Sequence, residues 1–375
     1  MLKRIYIAVI IILAAITVFY KSVDVTPLLP DDNTEFAKAE VVDVTYEDLL
    51  ADGTNSGSQG VILRITSGNY KNTVIEGISL NGYLYGAYCT PGEKVIVRLS
   101  EYDGRLSASV YNYDRELQIA VLVILFLGCM WLVGGKRGIH SMVALVFTFA
   151  IIIMLYIPMI YIGISPFVSA VLSVALITMV SIILIGGISI KSLCAIVGTL
   201  CGVVIAGMIA LIFGRTAHIN GYNVENIETL AYIGQNTRIN ISGILFSGIL
   251  ISSLGAVMDV AMSVSSSLTE IHDKSPELPA RELFYSGIRI GRDMIGTMSN
   301  TLILAYVGSS VNMLLIIYSY SYSMHQVLNM YSIGIEIMQG LSGTMGIILT
   351  VPFVSLISAV FLSNKNKFRD IKGKM

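Results

Sequence analysis

The feature that most constrains this chain is a succession of apolar segments that begins at residue 117 and continues almost to the C-terminus. Hydrophobic residues make up 54% of the 375 residues and charged residues 13%, and the mean hydropathy is +0.75. A helix of about 20 residues crosses the roughly 30 Å of hydrocarbon in a bilayer. The composition therefore predicts an integral membrane protein and excludes a water-soluble globular fold. The seven candidate segments are 117–134, 139–161, 166–187, 192–213, 241–264, 293–319 and 341–363.

An eighth apolar run, residues 5–20, follows Lys3 and Arg4. No small-x-small cleavage site comes after it, so we predict an uncleaved signal anchor over residues 1–22 rather than a cleaved signal peptide. Spanning strands would need alternating polar positions, which these segments lack, so helices are the expected form. The sequence thus predicts a mostly α membrane protein with eight transmembrane helices.

Residues 35–113 are different in character, being polar and rich in Gly, Asn and Tyr. Five runs alternate apolar and polar residues, and turn signals such as Asn81-Gly82 and Pro91-Gly92 separate them. They predict a small closed β-barrel of the OB type, placed after the first helix. Because no aromatic and basic binding face is evident, a structural extracytoplasmic cap is the expected role. The five runs are 39–46, 60–66, 73–78, 93–99 and 106–113.

The Lys and Arg residues of the short loops indicate the orientation. With the N-terminus inside, nearly all basic loop residues outside the β domain also lie inside, and only Arg215 and Arg238 lie in outer loops. The predicted topology has both termini in the cytoplasm and the β domain outside. The predicted organisation is an anchor, 1–22, a β domain, 35–113, a seven-helix membrane domain, 117–363, and a basic cytoplasmic tail, 364–375.

Two aspartates, Asp259 and Asp293, lie within or next to the apolar segments 241–264 and 293–319. A carboxylate near the centre of a span costs about 2.5 kcal/mol or more, so it usually has a partner or a function. At 3.6 residues per turn, each aspartate shares one helix face with small and polar residues. The two polar stripes comprise Ser252, Gly255, Asp259, Ser263, Ser266 and Glu270, and Asp293, Thr297, Asn300, Thr301 and Gly308.

The stripes have two interpretations. In the functional one, both face a shared, water-accessible interior in which Asp259 and Asp293 bind protons or cations. In the structural one, the stripes are packing seams: Asp259 pairs with Arg289 or Arg292, Asp293 suits the positive end of a helix that starts there, and Asn300 joins helices. We favour the functional interpretation for Asp259 and the structural one for Asp293.

Two further features concern packing and connection. Gly198-x-x-x-Gly202 and Gly287-x-x-x-Gly291 are spaced for close helix contact. The residues that follow Pro279 predict a short interfacial helix, which connects two spans or contacts a cytoplasmic partner. Two longer outer loops are expected at 214–240 and 320–340.

The sequence gives no sign of an enzyme, a metal site or a cofactor. The four cysteines and four histidines form no ligand spacing, and no basic stripe indicates nucleic acid. Aspartyl intramembrane proteases need Gly-x-Gly-Asp and Tyr-Asp, whereas here Met258 precedes Asp259 and Arg292 precedes Asp293. We therefore predict that the protein is not an enzyme.

The motifs from Leu254 to Glu270 and from Gly291 to Tyr306 resemble the YibE/F-like family of bacterial membrane proteins. The stretch from Gly343 to Pro352 is similar to the family's last span, which an acidic residue precedes, matched here by Glu336. The resemblance covers residues 115–363. It implies a multi-pass protein of the bacterial plasma membrane and assigns no activity.

The resulting functional prediction is a transporter or permease of unknown substrate, with a polar intramembrane path that carries protons or cations. Its expected partners are the lipid bilayer and an unknown small solute or ion. The alternative is a non-catalytic membrane scaffold or accessory subunit that binds other proteins through its outer β domain and inner loop. The predicted path residues are Asp259, Asp293, Thr297, Asn300, Thr301, Ser263 and Glu336.

Overall fold

The computed structural model describes residues 2–25, 34–50, 55–82, 85–102, 104–224 and 227–373, without the side chains of 2–4, 102 and 364–373. The chain is mostly helical and carries one small barrel. Its internal contacts divide it into two compact units. The helical unit comprises Met1–Asp24 and Val133–Met375, and the barrel unit comprises Val25–Leu132.

In the barrel unit, five strands close into a barrel in the order β1-β2-β3-β5-β4. Neighbouring strands are antiparallel except for β3 and β5, which are parallel. In β4, Val95, Val97 and Leu99 are buried at every second position, as an alternating pattern requires. The structure confirms the predicted five-stranded barrel. Its strands are β1 Thr34–Leu49, β2 Gly57–Ile65, β3 Val74–Asn81, β4 Lys94–Tyr102 and β5 Arg105–Tyr113.

Eleven α-helices lie in the described part of the chain, and a π-helical turn, Ile152–Tyr156, joins the second to the third. They are α1 Leu2–Ser22, α2 Glu116–Ile151, α3 Ile157–Tyr161, α4 Pro166–Gly186, α5 Ile190–Thr216, α6 Ile227–Asn236, α7 Ile244–Lys274, α8 Ala280–Ser309, α9 Val311–Ser319, α10 Met324–Leu328 and α11 Tyr331–Gly373.

Six helical stretches among the described residues are long and apolar enough to cross a membrane. The pair α8 and α9, bent by 60°, makes a seventh. The stretch Glu116–Tyr161 covers two predicted segments, and Gly135 lies between them with a non-helical backbone of φ 53° and ψ −132°. The structure therefore supports six to seven candidate spans. The predicted eighth depends on whether the chain reverses at Gly135.

Glycines allow the helices of the helical unit to pack closely. A Cβ on Gly198 would stand 2.8 Å from Cβ of Val354, and one on Gly202 would overlap Oγ1 of Thr350. Because these pairs run in opposite sequence directions, α5 is antiparallel to α11. Further along the bundle, a Cβ on Gly291 would overlap Val351, so α8 also packs on α11. The predicted close packing is thus present.

Two expected element boundaries are wrong. Helix α8 begins directly after Pro279 and runs to Ser309, so the expected interfacial helix and the segment 293–319 are not separate elements. Leu283 is fully buried in the core of the helical unit and Gly287 abuts Ser355, which holds residues before 293 in the same helix.

The expected outer loop at 320–340 is also too long. Helix α11 begins at Tyr331, because Ile335 and Met338 are buried against the rest of the helical unit and extend the apolar face of the last span. Glu336 consequently lies in a helix rather than in a loop.

Candidate functional site

The polar stripe of α7 faces outward from the helical unit. Gly248, Ser252, Gly255 and Asp259 are all exposed, and a Cβ built on either glycine meets no atom within 4 Å. On the opposite side of the helix, four residues are fully buried. The predicted amphipathic face therefore exists. We call the four exposed residues, Gly248, Ser252, Gly255 and Asp259, the α7 lane. The buried residues are Val257, Val260, Ala261 and Val264.

The polar stripe of α8 is exposed as well, at Asp293, Thr297, Asn300 and Thr301. Thr297 donates a hydrogen bond to the carbonyl oxygen of Met294 at 3.1 Å, and Thr301 donates one to that of Thr297 at 2.8 Å. Both hydroxyl protons are thus bonded within the helix. Asp293 lies well inside α8, more than three turns after Ala280, so the helix dipole does not explain it as expected.

Asp259 does not have the basic partner that the structural interpretation predicted. The ion pairs among the described residues involve Asp114, Glu116, Glu40 and Glu270, and no arginine of α8 takes part. The predicted pairing of Asp259 with Arg289 or Arg292 is therefore absent.

The described residues of the single chain do not enclose the two aspartates in a shared interior. Asp259 and Asp293 are exposed on the surface of the helical unit, because each helix turns its apolar face to the core. Ser263, one turn beyond Asp259 on α7, is half-buried. In a bilayer, such a face needs water or another protein surface against it, since hydrocarbon cannot solvate a carboxylate.

A polar contact links α7 to α8. The hydroxyl oxygens of Ser252, in the α7 lane, and Tyr306, on α8, are 2.6 Å apart and share a hydrogen bond. Tyr306 also lines a pocket of about 450 Å³ with Glu336 of α11. The Oε2 atom of Glu336 is buried and has no hydrogen-bond partner among the residues that the structure describes. Glu336 therefore shares a pocket with Tyr306, the residue that is hydrogen-bonded to Ser252 of the α7 lane.

The walls of this pocket are almost entirely apolar, and we call it the Glu336 pocket. It lies where α8 and α9 meet at a 60° bend, and it is closed on the other side by the first turns of α11. Its lining residues are Ile303, Tyr306, Val307, Ser310, Leu314, Ile333, Glu336, Ile337, Gly340 and Leu341.

Reasoning from sequence missed Tyr306 as a site residue and missed the bend. A signal was available in Gly308-Ser309-Ser310. The hydroxyls of Ser309 and Ser310 both donate to the carbonyl oxygen of Tyr306, at 2.7 Å and 3.1 Å. Serine hydroxyls that bond the preceding turn weaken and bend a helix, so this cluster marks where α8 ends.

A second concavity, of about 610 Å³, lies in the barrel unit beside the start of α2. Its charges neutralise one another: Lys38 Nζ lies 3.2 Å from Asp114 Oδ2 and 2.6 Å from Glu116 Oε2. The Glu116 backbone N–H and the Lys38 ammonium hold the pKa of Asp114 below its ordinary value. The Lys38 ammonium beside this cleft is therefore already engaged by two carboxylates.

The chain has apolar helices with unpaired carboxylates and one five-stranded barrel. These features are those of a helical membrane protein with one small β domain. Among the described residues, no three His, Cys, Asp or Glu are grouped to hold a metal ion. The chain belongs to the YibE/F-like family: the sequence pattern described as YibE/F-like protein matches residues 122–364. This confirms the resemblance found over 115–363. No curated protein and no solved structure matches the chain.

Proposed function

We propose that the protein is a transporter or permease of the bacterial plasma membrane and carries protons or a cation along the outward face of α7 and α8. The observation that carries the proposal is Asp259, a carboxylate in an apolar candidate span with no ion pair or hydrogen bond in the described part of the chain. A position this costly in a membrane is the default place to look for an ion site.

The α7 lane extends from Asp259 along one exposed side of the helix. Ser252 lies seven residues earlier, about 10 Å along the helix axis. From Ser252 the hydrogen bond to Tyr306 leads to the pocket that holds Glu336. Hydroxyl groups both donate and accept hydrogen bonds. In this proposal the Ser252–Tyr306 pair, together with water in the remaining gaps, passes a proton between Asp259 and Glu336.

The residues of the α8 stripe flank the same route. Asp293 adds a second carboxylate, Asn300 adds an amide oxygen, and Thr297 and Thr301 keep oxygen lone pairs free after donating within the helix. In this role Ser263 is an oxygen ligand one turn from Asp259.

The proposal includes a topology of eight spans with both termini in the cytoplasm. The positive φ of Gly135 supports a reversal of the chain between two spans. The parallel contact of β3 with β5 and the strand order support an OB-type barrel, placed outside the membrane.

Flux through proteoliposomes tests the proposal. Purified protein should move protons or one of a panel of inorganic and organic cations, followed with an entrapped pH dye, ion-selective dyes or radiolabelled organic cations. Asp259→Asn keeps the shape of the side chain and removes its charge, so it should abolish that flux.

Asp273→Asn is the matched control, because Asp273 lies near the end of the same helix and outside the α7 lane. It should retain the wild-type rate. Absence of any flux that depends on Asp259 would refute the proposal.

The scaffold alternative is favoured by one observation on the barrel. Phe36 and Tyr111 are 56% and 50% exposed, and their rings meet edge to face with centroids 5.3 Å apart. Exposed aromatic pairs are common at protein interfaces. A partner that co-purifies with the wild type from native membranes and is lost with Phe36→Ala would support this alternative, as would a phenotype that survives loss of both aspartates.

A further inference from the structure

We propose that the Glu336 pocket binds an organic cation with apolar substituents, and that this is the class of substrate the protein carries. The inference extends the proposed transport function and rests on it, because a pocket is a substrate site only if the protein is a transporter. Two features of the pocket carry it: the apolar walls and the single unpaired carboxylate.

The walls select an apolar body. Isoleucine, leucine and valine side chains from α8, α9 and α11 surround a space of about 450 Å³, which is the size of a small-molecule site. Gly340 leaves room beside the ring of Tyr306: a Cβ there would stand 3.8 Å from Tyr306 Cδ2. The aromatic ring therefore borders the space, where it can face a cation.

The carboxylate selects a positive charge. Glu336 Oε2 is buried without a hydrogen-bond partner in the described part of the chain, and no cationic side chain lines the pocket. A buried carboxylate without a partner is destabilising, so a ligand that brings a positive charge removes this cost. An acyl chain or an apolar surface of a second copy would leave it in place.

A small inorganic cation fits this pocket poorly. Calcium takes six to eight oxygen ligands and magnesium retains its waters, whereas the described lining residues offer, beside Glu336, the side-chain hydroxyls of Tyr306 and Ser310 among apolar groups. An organic cation carries its own apolar shell, so the same walls that exclude a hydrated ion stabilise it.

The break in the helix pair gives the pocket its shape. Ser310 stands at the 60° bend and lines the pocket, with Tyr306 on one side of the bend and Leu314 on the other. Broken helices of this kind surround the substrate in several transporter folds, because the ends can move without unpacking a whole span.

Binding of two ions of the same shape and opposite charge tests the inference. The purified full-length protein in lipid nanodiscs is equilibrated with radiolabelled tetraphenylphosphonium or tetraphenylborate, and uptake by empty nanodiscs is subtracted. We expect saturable binding of the phosphonium at one site per chain and no saturable binding of the borate.

Three variants localise the site. Glu336→Gln should weaken phosphonium binding roughly tenfold or more, the change expected when a charged partner is lost. Gly340→Leu fills the pocket and should also weaken it. Glu282→Gln, an exposed acid in the first turn of α8, should bind as the wild type does.

Each other result overturns the inference. Equal saturable binding of both ions would show a purely apolar pocket, such as a lipid site. Unchanged affinity in Glu336→Gln, or no saturable binding by the wild type, would also refute it. If Gly340→Leu is not monodisperse on size exclusion, the Glu336→Gln comparison decides alone.

The outcome is separable from that of the proposed function, because binding is measured without flux. Loss of phosphonium binding with intact Asp259-dependent flux would refute only the substrate class. Intact binding without any flux would refute transport and leave a binding site.

Discussion

Single glycines determine how closely the helices of the helical unit approach. A Cβ on Gly202 would overlap Thr350 Oγ1 and stand 3.0 Å from Val257 Cγ1, so this residue faces two neighbouring helices at once. Gly248, in contrast, lies in the α7 lane, and a Cβ there would meet no atom within 4 Å. Gly202 therefore allows close contact between helices, whereas Gly248 borders open space. The sequence alone does not distinguish these two roles.

Substitution by alanine separates these roles. Gly202→Ala should lower the stability of the helical unit by about 1–3 kcal/mol, because α5 must move away from α11 to accept the methyl group. Gly248→Ala should leave it unchanged or raise it by up to about 1 kcal/mol through helix propensity. Midpoints of thermal unfolding in detergent measure both effects, and equal midpoints would contradict the packing described.

At the scale of elements, α8 contains both the expected interfacial helix after Pro279 and the start of the predicted segment 293–319. Packing explains why they form one helix. The residues that follow Pro279 indicated a short interfacial helix, yet Leu283, Gly287 and Gly291 keep one face on the core across that region. The backbone of Pro279, with ψ 151°, starts the helix just before this buried face.

Two proline substitutions test whether α8 is one continuous helix. Ala280→Pro places proline at the first helical position after an extended residue, where no backbone hydrogen bond is lost, so the unfolding midpoint should stay near that of the wild type. Ser286→Pro removes a hydrogen bond inside the helix and should cost about 3 kcal/mol or more. Tolerance of Ser286→Pro would indicate a separate connector.

At the scale of the whole molecule, the number of spans sets the side on which every loop lies. Eight spans place the connection between α7 and α8 in the cytoplasm, whereas seven spans with the same N-terminus place it outside. Gly135 makes the difference, because the chain either reverses there or continues through a single long span.

Cysteine labelling in intact cells distinguishes these topologies. In a cysteine-free background, an impermeant maleimide should label Lys71→Cys and Gln235→Cys directly. Arg137→Cys and Glu277→Cys should react only after permeabilisation, because both lie on the proposed cytoplasmic side. Labelling of Glu277→Cys in intact cells would contradict the eight-span topology.

Local periodicity in the sequence was enough to predict the helices, the strands and the polar face of α7. Apolar runs of about 20 residues must become helices in a membrane, because only a helix satisfies its own backbone hydrogen bonds there. Alternation in 35–113 likewise required strands, and the spacing around Asp259 required one polar face on α7.

The direction of that polar face, and the residues it contacts, follow from the packing of the helices. Ser252 and Tyr306 are 54 residues apart in the chain, and Glu336 reaches the Tyr306 pocket from a third helix. Such contacts depend on how helices that are distant in the sequence pack together. Glycines allow this packing, and no local sequence pattern shows which residues a glycine will contact. For the same physical reason, the sequence left open what Asp259 and Asp293 face, whereas packing of the apolar faces leaves both exposed on the helical unit.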